Sequence, residues 1–316
     1  MKIAVIGTIH NDGLEILKKN DLEVFEITNL DIKSLKKNIS DVDAIVVRTA
    51  NLTSEILSVC KNLKIISRHG VGYDNIDIEY LKKNKIALAI TGTSNAISVA
   101  EHVLTMFLYL AKKFYISDKL TKSGNFDQRN NIPNFFELYN KNILILGFGR
   151  IGKEVAKRCK GFDSNIYVYD PYIDKKEILK NNCFPINKEE GLKIADFVTV
   201  HLPLTNKTKN FISFDEFKYL KKNSIVINTA RGGIVNEKAL YSALKENRIG
   251  GAGLDVFENE PPLKDHKLFS LENIILTPHN AALTIECRRR MSIESCQNIY
   301  YYLTNDKNLV KKNIIK

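Results

Sequence analysis

The chain has 316 residues, 44% of them hydrophobic and 26% charged. That is a globular balance, too long for one ordinary core and comfortable for two domains. Its formal net charge of +11 is mostly lysine, spread as doublets such as LKK, KKN and DKK. Without interleaved aromatics, this pattern fits a solvated face that draws small anions, and it argues against a nucleic-acid groove.

No apolar stretch reaches the length of a membrane span, and the opening MKIAVIG reads as a strand rather than a secretory leader. Five cysteines lie scattered with no CxxC pair, as expected of reduced thiols in a cytoplasm. Residues 2–7 (KIAVIG), 23–27 (EVFEI), 44–48 (AIVVR), 64–68 (KIISR) and 86–90 (IALAI) read as strands. Helix-like segments such as DGLEILKKN and TSEILSVC separate them. This βα alternation predicts a parallel sheet covered on both faces, an α/β fold.

Residues 96–114 predict a long helix, apolar nearly all round and so expected to be buried between domains or subunits. Residues 121–140 are polar and aperiodic and read as an extended arm. A second alternating series follows, with strands over 142–147, 165–170, 197–203, 224–230, 250–256 and 273–278. An amphipathic helix over about 283–303 closes the pattern.

The strand at 142–147 runs into GFGRIGKEVAKRC, where Gly147, Gly149 and Gly152 form G-x-G-x-x-G around Arg150 and Ile151. A strand precedes the motif, a helix-forming run follows it, and Asp170 ends the next strand. These are the three contexts a dinucleotide site needs. Gly147 permits the tight turn, Gly149 lets backbone approach a pyrophosphate, and Gly152 allows close helix–sheet packing. The helix N-terminus supplies N–H groups and a positive dipole end. Asp170 is placed to accept the adenosine ribose hydroxyls and to repel a phosphate, which favours NAD over NADP. The first half of the chain carries no such spacing.

Three charged residues stand at the ends of the last strands: Arg231 after VINTA, Glu260 after LDVFEN, and His279 after ILTP. In a doubly wound sheet those ends line the ligand crevice. Reducing a 2-keto acid needs a hydride on C2, a proton on the carbonyl oxygen and a clamp on the carboxylate. Histidine, with an ordinary pKa near ~6.5, is a natural proton donor, and a carboxylate orients it. An arginine grips carboxylate oxygens bidentately. His201, in TVHLP, also ends a strand, and spacing alone leaves the two histidines open. His102, inside the apolar helix, reads as structural or interfacial.

With these residues in view, the chain resembles the NAD-dependent D-2-hydroxyacid dehydrogenase family. The likeness lies in RHGVGYDNID (68–77), NAISVAEH (95–102), ELYNKNILILGFGRIG (137–152), YDP (169–171), HLPLT (201–205), NTARGGIVNEKAL (228–240), GAGLDVFENEPP (251–262) and TPHNAAL (277–283). These segments keep the family's order and cover nearly the whole chain. The resemblance implies two doubly wound parallel-sheet, Rossmann-like domains with a cleft between them. A substrate domain would span 1–97, completed by 283–316, and an NAD-binding domain would span 98–282. It implies catalytic Arg231, Glu260 and His279, with His201 and Pro203 beside the adenine. Asp255 would bind the nicotinamide carboxamide together with backbone at Thr229 and Ala230, and Arg150 and Ile151 would join the glycines on the pyrophosphate. The N–H groups of Val71 and Gly72 would hold the substrate carboxylate opposite Arg231, and Asn95 would line the substrate side. No metal is implied. A homodimer is, through the apolar helix and the arm.

Within the family the likeness leans to D-3-phosphoglycerate dehydrogenases of serine biosynthesis, whose phosphate-side arginines match Arg48 and Arg68. After the histidine, however, those enzymes usually continue Gly and Ser-Thr, whereas this chain has NAALT, as in hydroxypyruvate or glyoxylate reductases. The segment after the last helix is also too short for a regulatory serine-binding domain. Two other substrates, hydroxypyruvate and glyoxylate, therefore stay open, as does an NAD(H)-sensing corepressor-like protein.

Overall fold

The computed structural model describes residues 1–132, 135–304 and 306–315. Pro133 and Asn134 of the expected arm, and Asn305 and Lys316 of the expected closing segment, lie outside the described residues. The chain forms two compact units, Met1–Asn95 with Ala282–Lys316, and Ala96–Ala281.

In the first unit, β1 (Lys2–Ile6), β2 (Glu23–Ile27), β3 (Ala44–Val47), β4 (Ile65–Arg68) and β5 (Ala87–Ile90) form a parallel sheet in the order β2-β1-β3-β4-β5. All four residues of β3 are buried, as expected of a strand covered on both faces. Val47, Ile45, Ile66 and Leu35 lie in one core layer, and Ile3, Val5, Leu17 and Ile299 in the other. The helix Ile285–Leu303, capped by the Thr284 side chain, packs on the helix Asn11–Lys18. A Cβ at Gly13 would fall on the backbone of Ser292, so only glycine allows that approach. After the helix, the chain pairs with β5 through Ile315 N–H to Leu88 O, 2.8 Å.

In the second unit, β6 (Asn142–Leu146), β7 (Asn165–Tyr169), β8 (Phe184–Pro185), β9 (Phe197–Val200), β10 (Ile225–Asn228), β11 (Gly251–Leu254) and β12 (Ile274–Leu276) form a parallel sheet. Its order is β12-β11-β10-β9-β6-β7-β8. Strand order therefore reverses between β1 and β3 in one sheet and between β6 and β9 in the other. At such switch points open α/β sheets bind ligands, beyond the carboxyl ends of the strands.

The long helix runs Ala96–Ala111 and ends where Lys113 takes a left-handed φ of 47°. Its Val103, Met106, Phe107 and Leu110 share a core with Ile143, Ile145, Phe197 and Ile227. The apolar face thus covers its own unit's sheet. The arm is not extended over 126–131. A helix Phe114–Lys122 and a 3₁₀ turn Phe126–Asn131 occupy part of it, because polar residues without a buried stripe still close local i→i+3 bonds. No helix among the described residues is long and apolar enough to cross a membrane.

Candidate active site

The glycine turn after β6 is built as the spacing predicts. Gly147 has φ +98°, and a Cβ there would sit 2.6 Å from the His201 carbonyl oxygen. A Cβ at Gly152 would collide with the Gly147 carbonyl, so the helix Arg150–Lys160 packs tight on the strand end. Beyond Gly149, the N-cap, a Cβ would meet nothing within 4 Å. Gly149 thus leaves open space at the start of the helix, whose first-turn N–H groups, Arg150 and Ile151 among them, could meet a pyrophosphate. Asp170 Oδ2 accepts from Phe148 N–H at 2.8 Å and Oδ1 from Tyr172 N–H at 2.9 Å. The carboxylate therefore braces the turn itself, a task the spacing did not announce.

Arg231, Glu260 and His279 follow β10, β11 and β12, three neighbours in one sheet. Asn228, buried at the end of β10, ties the first turn. Its Nδ2 donates to Arg231 O at 2.8 Å and its Oδ1 accepts from Ala230 N–H at 3.0 Å. Arg231 Nη1 donates to Ala230 O at 2.7 Å. The next residue, Gly232, lies so close to the Phe257–Glu258 backbone that a Cβ would overlap the Phe257 carbonyl. The loop bearing Arg231 is thereby pressed against the loop bearing Glu260.

Glu260 uses its two oxygens separately. Oε1 accepts from Phe257 N–H at 3.1 Å, and Oε2 lies 2.7 Å from His279 Nδ1. With Nδ1–H directed to the carboxylate, Nε2 is the nitrogen left to take or give a proton. Both side chains are partly exposed. An open pocket of about 340 Å³ adjoins the pair, walled by Phe257, Pro261, Pro262, Phe269, Leu276 and Pro278.

His279 holds a left-handed φ of 50°, unusual for a side chain of its size. The cause lies beneath it in Asp255, 1% exposed. Asp255 Oδ1 accepts from Thr277 Oγ1–H at 2.6 Å and from Asn280 N–H at 2.8 Å, and Oδ2 accepts from Ala281 N–H at 3.0 Å. Three donors bracketing His279 converge on one carboxylate and fix the turn. The single hydroxyl proton of Thr277 is spent on Asp255. His102 Nε2, 3.1 Å from Thr277 Oγ1, must then carry the hydrogen and donate it. Burial holds the His102 pKa below its ordinary value against the opposing charge of Asp255. His102 is thus wired to the site from the helix Ala96–Ala111, and the sequence carried no signal of this.

His201 is unsuited to acid–base work. Burial pushes its pKa down to about 3, and Nε2 lies 2.9 Å from Thr199 Oγ1. Its carbonyl borders Gly147, and Pro203 follows in the same loop. Buried His201 Nδ1, Thr229 Oγ1 and Asn280 Oδ1 have no hydrogen-bond partner among the described residues. Unsatisfied buried polar atoms at the strand ends are what a polar cofactor would pair. The residues present therefore fit a dinucleotide.

In the first unit, Arg48 follows β3 and Arg68 ends β4, adjacent strands. Arg68 Nη1 donates to His69 O. In the loop beyond, the N–H groups of Val71 and Gly72 make no hydrogen bond among the described residues, which leaves two successive donors for an anion. Half-buried Asn95 ends this part of the unit.

Comparison with known proteins agrees with this geometry. The family model described as D-isomer specific 2-hydroxyacid dehydrogenase, NAD binding domain, matches residues 104–281. A D-3-phosphoglycerate dehydrogenase of Methanocaldococcus jannaschii is 40% identical over 292 residues, 92% of this chain and 55% of that protein. This chain thus spans about half the length of that relative. A hydroxypyruvate reductase of Thermotoga maritima is 37% identical over 288 residues, 90% of this chain and 92% of that protein. A D-lactate dehydrogenase structure from Aquifex aeolicus, complexed with NAD and lactic acid, has a TM-score of 0.87 at 28% identity and covers 99% of this chain and 98% of its own.

Proposed function

The chain belongs to the D-isomer specific 2-hydroxyacid dehydrogenase family, and from that premise we propose that it interconverts a D-2-hydroxy acid and its 2-keto acid. The Gly147–Gly152 turn and Asp170 would hold NAD(H), which when bound would accept or supply the hydride at C2. The chain's own residues handle the proton and the charge. In reduction, protonated His279 donates from Nε2 to the carbonyl oxygen. In oxidation, the neutral ring accepts the hydroxyl proton there. Glu260 holds Nδ1–H and pairs with the imidazolium. Arg231 and the Val71 and Gly72 amides are the groups suited to the substrate carboxylate, and Asn95 lines the substrate side. The observation that carries this reading is the 2.7 Å His279–Glu260 pair on a loop clamped by Asp255.

The substrate we favour is 3-phosphoglycerate, with its oxidised partner 3-phosphohydroxypyruvate, as in the first step of serine biosynthesis. Arg48 and Arg68, at adjacent strand ends, suit a phosphate. Hydroxypyruvate and glyoxylate are the competing substrates. Exposed Phe114, Phe126, Phe135 and Tyr139 suit burial on a second copy, and a homodimer with a cytoplasmic role completes the reading. The deciding experiment follows NADH oxidation with each of the three keto acids and compares kcat/KM. Oxidation with none of them, alongside tight NADH binding, overturns the enzyme reading in favour of an NAD(H)-sensing protein.

A further inference from the structure

The helix Ala96–Ala111 lies along β11 in a register that glycine permits. A Cβ on Gly251 would meet Leu110 Cδ2 at 3.5 Å, and a Cβ on Gly253 would meet Met106 Sδ at 2.8 Å. The two glycines point to one face of the strand, and Asp255, two residues further on, continues their line. Leu110, Met106, His102 and Ser98 stand four residues apart and share one face of the helix. Four helix residues rise about 6 Å and two strand residues about 6.6 Å, so the two rows stay in step. The next pair in the series is His102 with Asp255, where Nε2 lies 3.8 Å from Oδ1. Two missing side chains on the strand thus let the helix come close enough to bring an imidazole to a buried carboxylate.

From that register the helix holds both ends of the turn that carries His279. Ser98 Oγ donates at 2.5 Å to the carbonyl of Ala281, two residues after the histidine. His102 Nε2 stands 3.1 Å from Oγ1 of Thr277, two residues before it. Beneath the turn, Asp255 accepts from Thr277 Oγ1–H and from the N–H groups of Asn280 and Ala281. The hydrogen bonds through Thr277 run in one direction. Asp255 as a carboxylate can only accept, so Thr277 gives it the hydroxyl proton and takes a hydrogen from His102. A donor behind a hydroxyl also strengthens the hydrogen bond that the hydroxyl gives. Ser98 and His102, one turn apart on a helix otherwise packed on an apolar core, therefore both serve one five-residue turn.

We propose that His102 is a positioning residue for His279, acting through Thr277, with Ser98 holding the far end of the same turn. His102 passes no proton to the substrate. Its neutral ring supplies the hydrogen that fixes the Thr277 hydroxyl on Asp255. The turn so held keeps His279 at its left-handed φ of 50°, with Nδ1 2.7 Å from Glu260. An apolar side chain in its place would pack on the helix but leave the Thr277 hydroxyl without its donor. The catalytic consequence rests on the reaction proposed above, and the wiring of the turn does not.

Kinetics and ring ¹⁵N spectra of the full chain test this together. With whichever of the three keto acids the parent chain reduces fastest, His102→Leu should lower kcat by roughly 10–100-fold, as a displaced reacting group does, and change KM little. His102→Gln, whose side-chain NH₂ can donate to Thr277, should recover most of that loss. The double variant His102→Leu/Thr277→Val should be no slower than Thr277→Val, because His102 acts through that hydroxyl. Equal rates in His102→Leu and His102→Gln would reduce the residue to packing, and additive losses in the double variant would give it another route; either overturns the proposal. The spectra need no turnover. In the neutral rings of the parent chain, His102 should carry its hydrogen on Nε2 and His279 on Nδ1. In His102→Leu the His279 ring should drift toward the Nε2–H form that a free imidazole prefers. A parent His102 with a bare Nε2 refutes the wiring, and this is read even where His102→Leu does not fold. A parent chain that shows both expected tautomers yet reduces no keto acid removes the catalytic reading and leaves the wiring.

Discussion

Replacing Asp255 by Asn changes almost no volume but removes one acceptor from a carboxylate that serves three donors. With the amide oxygen in the Oδ1 place, Thr277 and Asn280 keep an acceptor, and Ala281 N–H, now at 3.0 Å from Oδ2, faces an NH₂ group. Turning the amide over rescues Ala281 and strands Asn280 instead. Either way a buried N–H loses a charge-assisted bond and finds no substitute, a cost of about 2–4 kcal/mol. For a unit of this size that predicts a Tm lower by roughly 4–16 °C. The same turn sets the φ of His279, so the imidazole moves relative to Glu260. A displacement of about 1 Å at the reacting group lowers kcat by about 100-fold. Calorimetry, steady-state kinetics and NADH titration on the folded variant together check the reasoning. If Tm and kcat both stay near the parent values while NADH affinity drops, Asp255 serves the nicotinamide carboxamide and not the loop, and the clamp is refuted.

His279→Ala should lower keto-acid reduction by about 10²–10⁴-fold with NADH affinity retained, and a parent-like rate would remove His279 from the chemistry. Gly232→Ala forces a Cβ into the Phe257 carbonyl. It should cost about 1–3 kcal/mol or more and lower kcat/KM by moving Arg231 and Glu260 together, so a variant with parent Tm and activity would contradict the packing. Arg48→Ala should hurt phosphohydroxypyruvate reduction far more than glyoxylate reduction, and equal losses would mean that Arg48 does not read a phosphate. Acid should destabilise the fold through buried histidines. His69 and His201 have pKa values pushed down to about 4 and about 3 by burial, while an unfolded histidine titrates near ~6.5. Between those values the unfolded state binds more protons. The stability each neutral ring retains is therefore full above ~6.5 and falls with pH, by about 2 kcal/mol per ring between pH 7 and 5. His201→Gln should shrink that difference in urea titrations by about the share of one ring, and an unchanged difference would mean that His201 is not buried as a neutral base.

How far the site was legible depends on how local its causes are. Gly147, Gly149 and Gly152 could be read because each answers a contact within one strand–turn–helix unit. Arg231, Glu260 and His279 could be read because a parallel sheet carries the ends of consecutive strands to one edge, whatever the detail of the loops. The support under His279 could not. Asp255 looks like any acid after an apolar strand, and its three donors lie more than twenty residues on, across the β11–β12 pairing. His102 reaches the same network from a helix whose sequence reads as plain apolar packing, and its tautomer follows only once the Thr277 proton is known to be committed. The arm failed for a related reason. Its short helix and 3₁₀ turn rest on local backbone bonds that leave no periodic apolar trace.

The triplet Arg288–Arg290 shows the limit most sharply. Neighbouring positions on a helix point about 100° apart, so one letter repeated three times becomes an ion-pair partner, a carbonyl clasp and an exposed charge. The sequence pattern cannot rank these fates, because each depends on what a different part of the fold presents: Asp12 from one helix, Ser94 from a loop, solvent for the third. The first two are satisfied by the chain itself and explain why the helix sits where it does. The third, Arg288, is exposed and makes no side-chain hydrogen bond or ion pair among the described residues. Two of the three arginines thus tie the helix to the rest of its unit, and the exposed third leaves no packing consequence that a sequence pattern could report.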